Sequence, residues 1–405
     1  MKNCNDKIPV HDACAGIYIH IPFCVKKCAY CDFLSAPASE SVKDDYVEAL
    51  KRELAQVLKR MNTQKERIST IYFGGGTPSI LKGEQIRELM HCILENGVLE
   101  ENPEITLEMN PGTVTPDKMK QIRLAGIKRL SIGMQSFHDP ELKLLGRIHR
   151  AKDALLCFEQ ARTAGFDNIS LDLMSCLPGQ SEKDWEENLK TAIRLNPEHI
   201  SAYSLIIEEN TEFYERYGEN WSEEQEELDR RMYEMTGVML KEAGYHRYEI
   251  SNYAKPGYQS RHNSSYWTGI PYYGCGLGAS SLVKDQGTWR RFHETTDLQQ
   301  YLRASFTDWH DLDAIDREGK TVLQEMEILT KEARMEEFMF LGLRMTEGIA
   351  SEEFYRRFGC PPEDVFGGPI GELQKDALLV KTAEGYALTE KGLDLCNYCF
   401  SKFLL

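Results

Sequence analysis

Between residues 16 and 205 the chain alternates short apolar runs with longer amphipathic stretches. The runs fall at 17–21, 68–73, 105–109, 129–132, 169–173 and 199–205. Apolar runs this short, bounded by turn formers, predict buried strands. The stretches between them have helical spacing: within 43–61, Tyr46, Val47, Leu50, Leu54, Val57, Leu58 and Met61 share one face. Further helices are predicted to start near Gly83, Thr115, Ala151 and Ser181, with Pro116 at a first helical position. Strands joined by such long crossovers run parallel. Six repeats predict an α/β fold, a partial (β/α)6 barrel, with a doubly wound open sheet as the alternative. On either, chemistry collects at the C-terminal ends of the strands.

After residue 205 the rhythm changes. An acidic stretch, 208–227, leads into a helix with Leu228, Met232, Met235 and Met239 on one side, a stripe read as core. A strand-like 245–250 and an aromatic, glycine-rich 262–281 follow. The tail reads as helices over 322–343, 351–358 and 370–377, then a hairpin over 378–388 turning at Glu384 and Gly385. Three helices and a hairpin predict a winged-helix-like module. The expected organisation is a tail over 1–15, a barrel with its extension over 16–290, and the C-terminal helical module over 291–405.

A net charge of −16 argues against nucleic acid as partner, which needs a basic face. The winged-helix-like tail has no concentrated basic recognition helix, so it is expected to pack on the barrel. Basic residues do gather locally at Lys26 and Lys27, and at Arg147, His149 and Arg150. No run approaches the roughly 18 apolar residues of a membrane span. The first 20 residues lack an apolar leader core, so a cytoplasmic location is expected. In that compartment the 12 cysteines read as thiols or metal ligands, not disulfides. Cys396 and Cys399 form a pair near the C-terminus without a second ligand pair beside it.

The cysteines that carry chemistry are Cys24, Cys28 and Cys31, spaced C-x3-C-x2-C directly after the first strand. Three thiolates on one tight loop can face a common point, and soft thiolates select iron–sulfur chemistry or zinc. Structural zinc wants four protein ligands, and no fourth cysteine or histidine lies close by. Three ligands leave one iron of a [4Fe–4S] cluster open to a chelating substrate. Phe23, Tyr30 and Phe33 can shield such a cluster from water.

At this point a resemblance is carried by six segments. They are 18–33 (YIHIPFCVKKCAYCDF), 72–78 (YFGGGTP), 107–111 (LEMNP), 131–137 (SIGMQSF), 145–149 (LGRIH) and 171–180 (LDLMSCLPGQ). Together they resemble the radical S-adenosylmethionine (SAM) HemN superfamily over nearly the whole chain. The resemblance implies a [4Fe–4S] cluster on the three cysteines, SAM on its open iron, and a low-potential electron donor such as flavodoxin or ferredoxin. It implies that an electron from the reduced cluster cleaves SAM to methionine and a 5′-deoxyadenosyl radical. By the same resemblance Tyr18, Tyr30, Glu108 and Leu282 surround that SAM. Gly75, Gly76, Thr77, Gln135, Arg147, Asp172 and Ile206 match a second SAM-binding place in the dehydrogenase. The chemistry is consistent: Glu108 and Asp172 can accept from ammonium or ribose hydroxyls, Gln135 can read an adenine or ribose edge, and Arg147 can pair a carboxylate.

Two features separate the branches of the superfamily. The coproporphyrinogen III dehydrogenase continues its motif to a fourth cysteine, where this chain has Phe33, and begins with a longer N-terminal segment than the 23 residues before Cys24. The string 262–267 (HNSSYW) fits a pattern associated with haem binding in the HemW branch, the haem chaperones. There His262 would offer an imidazole to haem iron, and Tyr266 and Trp267 ring faces to a porphyrin. The expected function is therefore to bind haem, a third cofactor beside the cluster and SAM, and to pass it to an acceptor such as a membrane haemoprotein. The enzyme alternative is oxidative decarboxylation of two propionates of coproporphyrinogen III; a regulatory role for the tail is a third reading. Ser175-Cys176 and Cys275 depart from the residues relatives carry at those places.

Overall fold

The computed structural model describes residues 14–218, 222–314 and 321–404. Six parallel strands lie side by side in chain order: β1 (Cys14–Ile21), β2 (Arg67–Gly75), β3 (Leu99–Met109), β4 (Arg129–Gln135), β5 (Ile169–Ser175) and β6 (His199–Ser204). The crossovers carry α1 (Glu40–Gln64), α2 (Gly83–Asn96), α3 (Pro116–Leu124), α4 (Asp139–Leu144), α5 (Ala151–Thr163) and α6 (Glu182–Leu195). A doubly wound sheet reverses its strand order at a switch point. This one does not, and the partial barrel is the fold.

The helices start where local chemistry starts them. Ser39 caps α1, Thr115 caps α3 ahead of Pro116, and Ser181 with Asp184 forms a capping box on α6. The apolar face of α1 buries Tyr46, Leu50, Leu54, Val57 and Leu58 against the outside of the strands.

Beyond β6 come α7 (Glu212–Tyr217), α8 (Glu223–Glu242), β7 (His246–Arg247), β8 (Asn252–Ala254), α9 (Arg261–Trp267) and β9 (Tyr272–Cys275). Then follow β10 (Ser280–Asp285), β11 (Thr288–Glu294), α10 (Leu298–Arg303) and β12 (Leu323–Leu329). These strands extend both edges of the barrel, giving the order β12-β11-β10-β9-β1-β2-β3-β4-β5-β6-β8-β7. The methionine stripe of α8 packs as core: Met232 is fully buried, with Leu228, Met235 and Met239 against the same cluster.

The last segment has α11 (Lys331–Gly342), β13 (Ile349–Ala350), α12 (Ser351–Phe358), α13 (Pro362–Lys375), β14 (Leu379–Lys381), β15 (Gly385–Leu388), α14 (Glu390–Asp394) and α15 (Cys396–Ser401). Three helices and a hairpin appear in the expected order. The module has its own core around Phe354, Phe366, Leu373 and Phe403. It docks on the barrel: Arg344 stacks on Trp267 at 4.2 Å and Arg357 donates to the Thr268 carbonyl at 3.0 Å.

Two expectations need revision. Residues 323–329, read as the start of a helix, form β12, because pairing with β11 satisfies their backbone at the sheet edge. Residues 262–267, given no element in the sequence reading, lie in α9, capped by Ser260. A boundary after residue 290 would cut β11; the main core runs to Leu323, and the second starts at Met335. Of the expected tail, residues 1–13 lie outside the described residues, while Cys14 and Ala15 open β1.

Register arranges the barrel interior in layers. Gly16 pairs with Thr70, Tyr18 with Tyr72 and His20 with Gly74, rising from the floor to the mouth. Glu108 pairs with Ser131, and Gly133 with Asp172, on the opposite wall.

Candidate SAM and cluster site

The loop after β1 is pinned from several sides. Cys24 donates its N–H to the Ala36 carbonyl at 3.2 Å, and Ala36 returns a bond to Pro22 at 3.0 Å. Ala29 donates to Leu145 at 3.1 Å, and Phe213 donates to Ala29 at 2.9 Å. Cys24, Cys28 and Cys31 are free thiols, partly exposed, and line one cavity of about 470 Å3 at the barrel mouth. Cys24 Sγ lies 3.3 Å from Thr77 Oγ1, and Arg147 points Nη1 at Cys28 Sγ, 3.7 Å away. Among the described residues no three such side chains are placed to hold a single metal ion. A cubane asks for something else, since each thiolate takes its own iron. Three free thiols lining one cavity together with the glycine run fit that demand.

The glycine run forms the adjoining wall. Gly75 has φ +109°, and a Cβ there would stand 2.6 Å from the His20 ring. A Cβ on Gly76 would meet the Phe23 carbonyl at 2.7 Å. Only glycine lets the backbone pass there.

Of the residues singled out in the sequence, Tyr30, Gly75, Gly76, Thr77, Glu108, Gln135, Arg147, Asp172 and Ile206 line the cavity with the three cysteines. Gln135 does so from a left-handed backbone, φ 63°. Arg147 holds Asn110 at 2.5 Å and the Gly133 carbonyl at 2.7 Å, so part of its guanidinium is already committed. Tyr18 stands one layer behind, its hydroxyl 3.1 Å from His20 Nδ1. Leu282 is buried in β10 next to Tyr272 and is not among the cavity-lining residues.

Two partly buried carboxylates line the cavity. Tyr72 donates to Glu108 Oε1 at 2.8 Å, and burial still pushes the Glu108 carboxyl up to about 7. Ser131 donates to both Asp172 oxygens at 3.1 Å, and burial raises that group too. Between them Arg129 contributes the positive charge that opposes both shifts. Its guanidinium is 2 % exposed, lines the cavity, and leaves Nε and Nη1 without a protein partner. Sequence reading missed Arg129, Asn110 and Asn263. A charged residue inside the apolar run 129–132 was the available signal for the first.

His262, expected to offer its imidazole to haem iron, is buried in the barrel. Its ring is 1 % exposed, inside the closed lower end of the barrel, with Nδ1 2.7 Å from Thr70 Oγ1 and Nε2 2.8 Å from Tyr266 Oη. Both nitrogens are occupied, and burial pulls the ring's pKa down to about 3, so the imidazole is neutral. Trp267 is partly buried, with the Arg344 guanidinium stacked on its ring at 4.2 Å. Cys176 packs against the first turn of α8, 3.4 Å from Gln225 Nε2, and Cys275 is core. Cys399 is buried in the second core, donating to Gly392.

The chain matches the radical SAM superfamily over residues 18–192 and the HemN C-terminal domain over 329–395. It is 37 % identical to the heme chaperone HemW of Bacillus subtilis, over 96 % of this chain and 98 % of that one. With HemW of Escherichia coli it shares 35 % identity, over 96 % and 98 %. Coproporphyrinogen III oxidase (HemN) of Escherichia coli shares the fold, with a TM-score of 0.78, 22 % identity, and coverage of 96 % of this chain and 89 % of that one. The superfamily is the one that uses a [4Fe–4S] cluster with SAM, which is the chemistry the loop and cavity accommodate. Similarity that spans both the barrel and the C-terminal module, at this level and nearly end to end, makes the chain a member of the HemW family of radical SAM proteins.

Proposed function

We propose that this protein binds haem and delivers it to an acceptor protein, with SAM and a cluster at the barrel mouth governing the step. The full-length similarity to heme chaperones carries this reading. Phe33 supports it: the ring is 68 % exposed on the cavity rim at the position where the dehydrogenase has a further cysteine. Ile206, also 68 % exposed, and Tyr203 lie on the same rim. Exposed apolar side chains in a cluster mark a binding surface, and a flat macrocycle seated over the mouth would cover them.

Cys24, Cys28 and Cys31 would hold the cluster, which supplies the electron that cleaves SAM. This chain's residues do the rest. The glycine run and Thr77 admit SAM closely, Glu108 and Asp172 accept from its donors, and the surrounding β1–β6 wall limits water. Lys26 and Lys27, exposed on the cluster loop, and Lys143 and Arg150 beside it form a basic landing area. An acidic low-potential electron donor would be steered there.

Anaerobic cluster reconstitution followed by haem titration and a coproporphyrinogen decarboxylation assay on one sample tests the proposal. Stoichiometric haem binding without decarboxylation is expected. Multiple turnovers of coproporphyrinogen III would replace the chaperone reading with the dehydrogenase one.

A further inference from the structure

The imidazole of the 262–267 motif is buried with both nitrogens bonded, and the motif is tied closely to the SAM cavity. Helix α9 enters the barrel from below. The Glu104 carboxylate accepts the backbone N–H groups of Arg261 and His262, both at 2.9 Å. Arg261 adds bonds to the Asn102 carbonyl at 2.7 Å and to Glu100 at 2.9 Å. These anchors belong to the N-terminal half of β3, at the opposite end of the barrel from the cysteines.

From that base His262 reaches up the barrel axis. Gly16 makes room for it: a Cβ there would stand 2.8 Å from Thr70 Oγ1 and 3.4 Å from the imidazole. The imidazole stacks on Tyr72, centroids 4.9 Å apart and planes 20° apart. Tyr72 is the ring whose hydroxyl holds Glu108. Thr70, which fixes His262 Nδ1, lies two residues before Tyr72 on the same inward face of β2. Asn263, the next residue of α9, lines the cavity itself. Each contact links the motif to the floor of the pocket.

We infer that His262 is a positioning residue for the SAM pocket: clamped between Thr70 and Tyr266, it fixes the Tyr72 ring so that its hydroxyl keeps Glu108 aimed into the cavity. The inference rests on the reading that Glu108 contacts SAM. It reassigns the motif from haem coordination to SAM binding. The neutral imidazole suits this role, since one nitrogen donates, the other accepts, and a hydroxyl on each side can serve either. The C-terminal module secures the far end of the helix through Arg344 on Trp267 and Arg357 on the Thr268 carbonyl.

The test is a double-mutant cycle in SAM affinity, measured by calorimetry on the full chain with its cluster reconstituted. Tyr72→Phe should weaken SAM about tenfold, the low end for losing a hydrogen bond to a charged group. His262→Gln should weaken it about fivefold. The double variant should stay near about tenfold, not the product, because both act through one contact. Tyr266→Phe, which removes one bond from the imidazole and little volume, should move affinity in the same direction if His262→Gln folds poorly. The Soret spectrum and haem affinity of His262→Gln should match wild type.

A lowered melting temperature with unchanged SAM affinity in both His262→Gln and Tyr266→Phe would leave a structural role only and overturn the inference. So would multiplicative effects in the cycle, or an altered Soret band with SAM affinity intact. Glu108→Gln separates the underlying reading. If it binds SAM normally, the pocket assignment falls and the inference with it. If it loses SAM while His262→Gln does not, the inference alone fails.

Discussion

Replacing Glu108 by glutamine should stabilise the protein above neutral pH while destroying its SAM affinity. Burial pushes the Glu108 carboxyl from 4.5 up to about 7, against the pull of the Tyr72 hydroxyl and Arg129. The folded protein therefore holds this proton more tightly than the unfolded chain does. Between pH 4.5 and about 7 the native state binds more protons, so stability falls as pH rises through that window. Above it the full cost of a buried carboxylate is present. One pKa unit corresponds to about 1.4 kcal/mol, which sets a ceiling of roughly 3 kcal/mol for this site. Glu108 faces a cavity that admits water, so about 1–3 kcal/mol is the expected gain for the neutral isostere at pH 8.5. Denaturant unfolding of wild type and Glu108→Gln without SAM, at pH 5.5 and 8.5, measures it. The gap should be smaller at pH 5.5, where about one pKa unit of the cost is already present, than at pH 8.5, where all of it is. Calorimetry on the reconstituted variant should show SAM binding lost. A variant less stable than wild type at pH 8.5, or a stability gap independent of pH, would refute the idea that Glu108 is held at a cost for the sake of a ligand.

Other outcomes are expected at the same mouth. Alanine at Cys24, Cys28 or Cys31 should abolish the visible iron–sulfur absorbance after reconstitution with little change in far-ultraviolet circular dichroism, whereas Cys399→Ala should lower stability through its own core and keep the absorbance. Gly75→Ala should cost about 1–3 kcal/mol of stability from its positive φ alone, and weaken SAM further as the His20 ring is displaced, read by thermal melt and calorimetry. Phe33→Asp should weaken haem binding in a Soret titration while cluster content and SAM affinity stay at wild-type values, because this exposed ring is offered to a flat ligand, not to the core.

The six barrel strands were legible because each is a short apolar run that also had to be followed by an amphipathic helix. Local caps at Ser39, Thr115 and Ser181 marked where those helices begin. The cysteine loop and the glycine run were legible for a related reason: their chemistry depends on spacing within one turn of chain, and spacing is written in the sequence. The hairpin at 378–388 followed from its glycine turn in the same way.

What only the tertiary structure decided are the arrangements made by residues far apart in the chain. Residues 323–329 have apolar positions compatible with a helix; the open edge of β11 made them a strand, since an unpaired edge and an extended segment satisfy each other's backbone. Arg129 reads as one charge in a strand, and becomes the counter-charge of two carboxylates only when β3, β4 and β5 stand side by side. His262 is the sharpest instance. In sequence it is a histidine among polar and aromatic residues, suited to a metal. Its partner Thr70 lies 192 residues away, and the ring it stacks on is in the same distant strand. Sequence determined that an imidazole is present; closure of the barrel around α9 determined that both its nitrogens are taken, because a buried polar ring must find its partners inside.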